Sequence, residues 1–350
     1  MPHALPPKPD LDFASLAAST ERANRALGRL DGVSMMLPDP RAFLSFCVRK
    51  EAVLSAQIAG IQSTLSDLLL AEVTGQRDEV QEAARGVDAA ERAIDLLRGG
   101  LPLSGRFIKE VHEVLVPPGR HALKQAGTFR RAPVWMGGTS PANADFVPAP
   151  WNEVARCMLE LENSIDDAAM PTLIKAGLVH AQFETIHPFL EGNGRLGRIL
   201  ITVMLLREKA LSEAWLSLSL YFKQHRAQYV ELLMGTRETG DWEAWLEFFL
   251  HAIEVTAEYA HFTARKMLAL FAEHEALLSR LKGPGKKVAL AVYQQLKQRP
   301  VSDVKALGTS PQAVTKALAQ LKKLGIVRPV SKRVVAYGPL VDLLQNDLPL

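Results

Sequence analysis

Cysteine is nearly absent from this chain: 350 residues carry two, Cys47 and Cys157. They stand far apart and neither belongs to a CxxC pair. That excludes a disulfide scaffold and a cysteine zinc cluster, and it suits a reducing compartment. Long apolar runs are missing too, and none approaches the ~20 residues that span a membrane. The N-terminal MPHALPPKPDLDF lacks the basic-then-apolar order of a signal peptide. These absences lead to the expectation of a cytoplasmic protein with no membrane partner. Net charge is small as well: 41 Lys and Arg against 38 Asp and Glu leave +3. What is present is apolar mass, 48% hydrophobic residues with 23% charged and a mean hydropathy of +0.02. A chain of this composition buries a large core and is not disordered, and its length suits two or three domains.

Strand signals are sparse in the first two-thirds, where apolar residues recur at helical spacing. Residues 1–12 hold four prolines and are expected to form an extended arm. An amphipathic helix over 43–60 ends near Gly60. Thr64, three residues before Asp67, is a plausible cap for Leu65–Glu72. Helices are expected over Val80–Leu97, Phe107–Leu115, Asn152–Asp167, Pro171–Ile186, Ile199–Glu208 and within Trp242–Leu281. Gly283-Pro284-Gly285 marks a domain boundary. Residues 117–150 interrupt the helices with a Pro- and Gly-rich stretch, and Pro133-Val134-Trp135-Met136 before Gly137-Gly138 predicts a short β-hairpin. A solvated connection is the plain alternative, but Phe129, Trp135 and Phe146 would be costly to leave in water.

The chemistry concentrates in HPFLEGNGRLGR, residues 187–198. Gly192, Gly194 and Gly197 satisfy GxGxxG, but a dinucleotide fingerprint needs a preceding strand. LIKAGLVHAQFETI precedes it here and repeats at helical spacing, so that reading fails. Gly192-Asn193-Gly194 can instead turn successive backbone N–H groups toward one anion. A helix starting near Arg195 adds the positive end of its dipole. Arg195 and Arg198 share one helix face and suit a polyphosphate. Glu191 offers a hard oxygen to Mg²⁺, and His187 is placed to take a proton from a hydroxyl. Phe189 reads as a buried anchor. Each residue alone has a bland structural explanation; the combination within twelve residues does not.

This string resembles the Fic motif, HxFx(D/E)GNGRxxR, at every defined position. GTFRRAPVWMGG with Ala144 and Phe146-Val147-Pro148 is similar to the family's flap, and LSLSLYFKQHRAQYVELL with TGDWEAWLEFFL to helices that close its nucleotide site. The likeness spans roughly residues 40–255. It implies a mainly α fold, a Fic-type helical domain with a short β-hairpin flap, and a protein adenylyltransferase that moves AMP from ATP to a Ser, Thr or Tyr hydroxyl and releases pyrophosphate. By the resemblance His187 is the base and Glu191 the Mg²⁺ ligand. Gly192, Asn193 and Gly194 hold the α- and β-phosphates, Arg195 the β- and Arg198 the γ-phosphate. Val134, Trp135, Met136, Gly137 and Gly138 register the protein target, and Tyr229 lies near the adenine. The resulting division is an N-terminal helical region 1–110, a catalytic domain 111–255, a connecting helix 256–283 and a terminal module 284–340. A different donor, the reverse reaction, or a DNA-binding regulator with a nucleotide-sensing Fic domain are the alternatives. Intact His187 argues against pure sensing.

The helix ending near Gly60 resembles the family's inhibitory segment, (S/T)xxxE(G/N), in which a glutamate reaches the second motif arginine. Ser55 and Gly60 match, but Ala59 occupies the glutamate's position. Either a substitution released the brake, or this is a natural variant without it, or the helix is a packing element. The first two predict constitutive transfer, and the missing glutamate weakens the reverse reaction.

The terminal module hides most of the charge asymmetry. Between 284 and 338, eleven Lys and Arg face one acid, Asp303, a sum of +10 that leaves −7 for the remainder. KKVALAVYQQLKQRP, SDVKALG and TSPQAVTKALAQLKKLG read as helix, short helix and longer helix, with Ser310-Pro311 a cap. VRPVSKRVVAY alternates like two strands about a basic turn. The order resembles a winged helix–turn–helix, fitted to DNA phosphates. A protein-contact surface, including a homodimer contact, is the alternative.

Overall fold

The computed structural model describes residues 2–7, 10–37, 39–75, 80–116, 125–283, 285–308 and 310–346. Residues 8–9 of the Pro-rich arm, 117–124 of the long loop, Pro284 of the boundary and Thr309 lie outside them.

Two long helices frame the molecule. α1 (Phe13–Ser34) starts on the Asp12 carboxylate, which accepts from the Ala14 and Ser15 N–H groups at 3.0 and 3.2 Å. It lies along α11 (Trp242–Ser279), burying Ala23, Ala26, Leu27 and Leu30 there. The small residues let the axes approach closely. α11 is one uninterrupted helix of 38 residues, so the 255/256 boundary falls inside it.

α2 (Pro40–Ile58) begins at Asp39 with Pro40 in the first turn and is followed by Gly60 at φ +89°. α3 (Leu65–Thr74) begins with the expected reciprocal cap between Thr64 and Asp67. α4 (Gln81–Arg98) packs on α2 through its small face: a Cβ on Gly86 would sit 3.2 Å from that of Ala52. α5 (Gly105–Leu115) packs on α4, and α6 (Val154–Ile165) packs on α7 (Thr172–Ile186). Every residue of α7 after Thr172 is buried, the mark of a helix enclosed on all sides rather than amphipathic. Its contact with α11 is tight at Gly177, where a Cβ would meet Leu246 at 2.8 Å and Phe249 at 2.9 Å. α8 (Asn193–Arg207), α9 (Ser219–Gln224) and α10 (Arg226–Glu238) complete the body.

The expected hairpin is reduced to one bridge, Met136 to Phe146. Pro133 and Pro141 cannot donate to a ladder, and the Asn143 carboxamide takes the Thr139 and Ser140 N–H groups at 3.0 and 2.8 Å. Phe129 and Phe146 are half-buried, but Trp135 is 40% exposed, against the expectation that it would be buried.

The terminal region runs α12 (Gly285–Gln298), β1 (Val301–Asp303), α13 (Pro311–Lys323), β2 (Val327–Pro329), β3 (Val334–Tyr337) and α14 (Gly338–Gln345). The sheet is antiparallel in the order β1-β3-β2. SDVKALG, expected as a short helix, is instead the end of β1 followed by a 3₁₀ turn. Val301 and Asp303 pair with Ala336 and Val334, a long-range partnership invisible to local periodicity. This region is seated on the body: the Lys50 ammonium of α2 donates to the Leu344 and Asn346 carbonyls at 3.3 and 2.6 Å. No helix among the described residues is long and apolar enough to cross a membrane.

Candidate active site

The site is a loop between two helices, and two side chains from elsewhere set its shape. α7 ends at His187, whose backbone takes the left-handed conformation (φ 50°, ψ 63°) while its N–H donates to the Phe183 carbonyl at 2.9 Å. Few non-glycine residues adopt it, because Cβ crowds the backbone. Here the surroundings hold it. Arg130, buried, donates through Nε to the His187 carbonyl at 2.8 Å and through a terminal nitrogen to that of Ile186 at 3.3 Å, and its N–H donates to Pro188 at 2.9 Å. His112 stacks on Phe189 with centroids 3.7 Å apart. It accepts from the Gly127 N–H at Nδ1, which leaves Nε2–H to donate to the Glu191 carbonyl at 3.1 Å. Asn193 closes the loop on itself, exchanging two 2.9 Å bonds with the Phe189 backbone. The Asn193 side chain is therefore occupied, and its main-chain N–H is what remains for an anion.

Gly192 caps α8 at φ +78°, and a Cβ there would lie 3.0 Å from Val116. Both conformation and space call for glycine. α8 thus starts at Asn193, two residues earlier than expected, and its free N–H groups open into a cavity of about 330 Å³. His187, Glu191, the Gly192–Gly194 turn and Arg195 line it, joined by Ala59 from beyond α2 and Glu82 from the first turn of α4.

Both motif arginines are buried and engaged. Arg195 forms an ion pair with Glu82. Arg198 donates through Nε to the Ser55 hydroxyl at 2.8 Å and through Nη2 to the Ser55 carbonyl at 2.9 Å. The structure therefore brings Ser55 onto the second arginine, and one turn later brings Ala59 to the cavity wall. Gly60 turns the chain away, with open space where a Cβ would sit.

Other expected site residues lie elsewhere. Tyr229 is buried, bonded to His180 Nε2 at 2.7 Å and stacked on Phe222 at 4.5 Å. It does not line the cavity, because α10 turns its ring into the aromatic core. Gly137 and Gly138 turn with φ of +70° and +60°. Added Cβ atoms there would strike Asp145 at 2.0 Å and Asn143 at 2.2 Å, so these glycines shape the flap. Val134 and Met136 are half-buried while Trp135 is exposed, and none of the five flap residues lines the cavity.

Electrostatics keep His187 neutral. Burial pulls His187 down to about 4, and the Arg237 and Arg130 guanidiniums push the same way against the pull of the nearby Glu184 backbone carbonyl. His112 is lowered to about 4 by burial as well. Burial raises the Glu184 carboxyl despite the Arg198 and Arg237 charges.

A divalent cation fits on chemical grounds. Among the described residues no cluster of three or more His, Cys, Asp or Glu could hold a metal by itself. Mg²⁺ asks for less: one or two carboxylates, water and substrate phosphates. Glu191 on the cavity wall is such a donor.

Sequence reasoning missed Arg130, His112, Glu82 and Glu184. A signal existed for His112, which falls on the stripe Ile108-Val111-Leu115 of α5 where periodicity asks for an apolar residue. Glu82 carried none, because its partner lies 113 residues away.

The profile of the Fic/DOC family N-terminal region matches residues 17–95, and that of the Fic/DOC family matches residues 102–205. The chain is 29% identical over 190 residues to a protein adenylyltransferase Fic of Drosophila grimshawi, covering 53% of this chain and 36% of the relative. It is 27% identical over 191 residues to one of Culex quinquefasciatus, covering 53% and 35%. The match thus spans about a third of the length of these relatives. Among solved structures, a Fic family protein from Desulfovibrio desulfuricans G20 superposes with a TM-score of 0.60 at 17% identity, over 94% of this chain and 97% of that one. Fic-1 (residues 134–508) from C. elegans gives 0.53 at 17% identity, over 74% and 75%. These likenesses carry the fold. With the motif intact at residues 187–198, the matched profiles place this chain in the Fic/DOC family.

Proposed function

We propose that this chain is a Mg²⁺- and ATP-dependent protein adenylyltransferase acting on a side-chain hydroxyl. One observation carries the reading: a neutral histidine, a carboxylate, an anion-binding turn and an arginine line a single cavity of about 330 Å³. The names of the relatives, protein adenylyltransferase, point the same way. His187 takes the proton of the acceptor hydroxyl, and its low pKa keeps it unprotonated and ready at neutral pH. The Gly192–Gly194 N–H groups and the α8 dipole hold phosphate oxygens, with Arg195 and Arg198 on the leaving pyrophosphate. Glu191 would hold Mg²⁺, whose chemistry is to neutralise phosphate charge. Positioning and charge stabilisation supply most of the rate in such transfers. With Ala59 at the cavity wall, no carboxylate at that position restrains the γ-phosphate, and transfer is constitutive. Incubation with ATP labelled at the α- or γ-phosphate tests the class. Label from α on protein, lost in His187→Ala with ATP still bound, is the expected result; label from γ alone, or transfer unchanged by His187→Ala, refutes it.

A second activity is supported by charge. Lys316, Lys322 and Lys323 on α13 and Lys332 and Arg333 in the β2–β3 turn are exposed. α13 packs on α12 and β2, which leaves this face open for duplex DNA phosphates, as in a winged helix. Retention on duplex DNA at ~150 mM salt with a steep salt slope is expected; no retention, or retention insensitive to salt, overturns it in favour of a protein partner.

A further inference from the structure

We propose that Glu184 is the positioning residue for the base His187, accepting its Nδ1–H so that Nε2 is the nitrogen that faces the hydroxyl. The inference rests on the adenylyl-transfer reading and deepens it.

One unpartnered atom points to it. His187 Nδ1 is buried with no hydrogen-bond partner, where partners are the rule; the unpartnered Glu184 Oε1 faces α8, and it is the other oxygen of that carboxyl that lies toward this nitrogen. Glu184 lies one helical turn before His187 on α7, and its Oε2 is 3.9 Å from that Nδ1. The contact is too long for a hydrogen bond at rest. Catalytic contacts of this kind often tighten only when substrate is bound.

The carboxyl is not there by accident of packing. A Cβ on Gly197 would lie 2.9 Å from Oε1, and one on Gly194 would lie 3.6 Å from it. The first turn of α8 is thus cut back to make room for this group. Around it stand Arg198 of α8, Arg237 of α10 and the Tyr229 hydroxyl, with His180 one turn earlier on α7. Arg237 itself is fixed by the Thr185 hydroxyl at 3.1 Å and the Phe146 ring at 3.9 Å. Arg198 and Arg237 favour a carboxylate at Glu184 against its burial, while Arg237 and Arg130 disfavour a cation on His187. A carboxylate beside Nδ1 is what offsets them when the imidazolium forms.

The step balances within the chain and its substrates. The hydroxyl proton moves to His187 Nε2, the hydroxyl oxygen bonds the α-phosphorus, and the bond from that phosphorus to pyrophosphate breaks with its electron pair on pyrophosphate. The imidazolium later gives its proton to water. Glu184 touches neither substrate; it fixes the tautomer and faces the transient charge, the arrangement of an oriented base.

Its rival is the Glu184 main-chain carbonyl, which also lies within reach of the ring. The test separates them on the full chain. Histidine ¹⁵N spectra near neutral pH, assigned with His187→Gln, should show His187 as the Nδ1–H tautomer, shifting to a mixture in Glu184→Gln. In α-label transfer, Glu184→Gln should lower kcat ~10²-fold, the lower end of what a general base contributes, with the ATP KM within threefold. Glu184→Asp should fall between. An Nε2–H tautomer in the parent protein, or a tautomer unchanged in both variants, overturns the proposal. So does a loss confined to KM. If Glu184→Gln fails to fold, Glu184→Asp and the parent spectrum decide. If the parent protein transfers no label, adenylyl transfer is what fails, and the spectra still decide the role of Glu184.

Discussion

Replacing Ala59 by glutamate is the most informative single change in this molecule. Ala59 follows Ser55 by four residues, so their side chains leave the same side of the chain about 5–6 Å apart. Ser55 already holds two of the Arg198 donors, at 2.8 and 2.9 Å, and Ala59 lines the cavity that contains Arg195. A carboxylate built there has an arginine within its reach. At 4 Å and an effective dielectric of about 20 the attraction is ~4 kcal/mol. Desolvation takes back part of it, leaving ~1.5–3 kcal/mol for a charge-assisted hydrogen bond. Any γ-phosphate that needs the same guanidinium must overcome that, a loss of ~10- to 100-fold in productive ATP binding. The assay is initial-rate transfer of α-labelled AMP, to the chain itself or to added protein, across ATP concentrations. Ala59→Gln is the control, equal in size and uncharged. Ala59→Glu should fall by that factor while Ala59→Gln stays within threefold of the parent. Equal rates for the two variants would refute the reasoning, and α2 would then be a packing element.

Three further outcomes follow from the same geometry. Glu82→Gln removes the partner of Arg195 in a pair whose side chains are 37% and 8% exposed; after screening, ~1 kcal/mol is at stake, so ATP should bind ~5-fold tighter by calorimetry, and unchanged affinity would mean the pair does not compete with phosphate. Gly197→Ala places a methyl 2.9 Å from Glu184 Oε1 and 3.1 Å from Phe183, an overpacking cost of ~1–3 kcal/mol, seen as a lower thermal midpoint; an unchanged midpoint contradicts the close packing of α7 on α8. For pH, His187 acts unprotonated and its pKa is held at about 4. Transfer should therefore stay level from neutrality down through pH 6 and fall only as pH approaches 4. An acid limb centred near 6.5 would show that nothing depresses it.

The reach of the sequence differed from part to part. Helix caps and periodicity placed α2 through α8 to within a few residues, since caps and amphipathic stripes are local physics. The 187–198 motif was legible for a related reason: an anion-binding turn needs its glycines, carboxylate and arginines at fixed short spacing. The flap was less so, because its single bridge depends on where Phe146 packs against Arg237. β1 escaped notice because three residues form a strand only once β3 arrives from more than thirty positions later. Tyr229 faces His180 and Phe222 rather than the cavity, because position along a helix does not say which neighbour its face will meet.

By itself, then, the sequence determined a mainly helical body with the Fic motif at 187–198, an alanine at position 59 between matching flanks, and a basic terminal region concealed in a net charge of +3. Each of these rests on residues near one another in the chain. Only the tertiary structure decided what those residues touch: Glu82 on Arg195, Ser55 on Arg198, Arg130 and His112 clamping the loop, and a buried Glu184 beside His187. Those partners are far apart in sequence, or point into one core from different elements. Their pairing is fixed by packing and by the cost of leaving a buried charge alone, which no local pattern encodes.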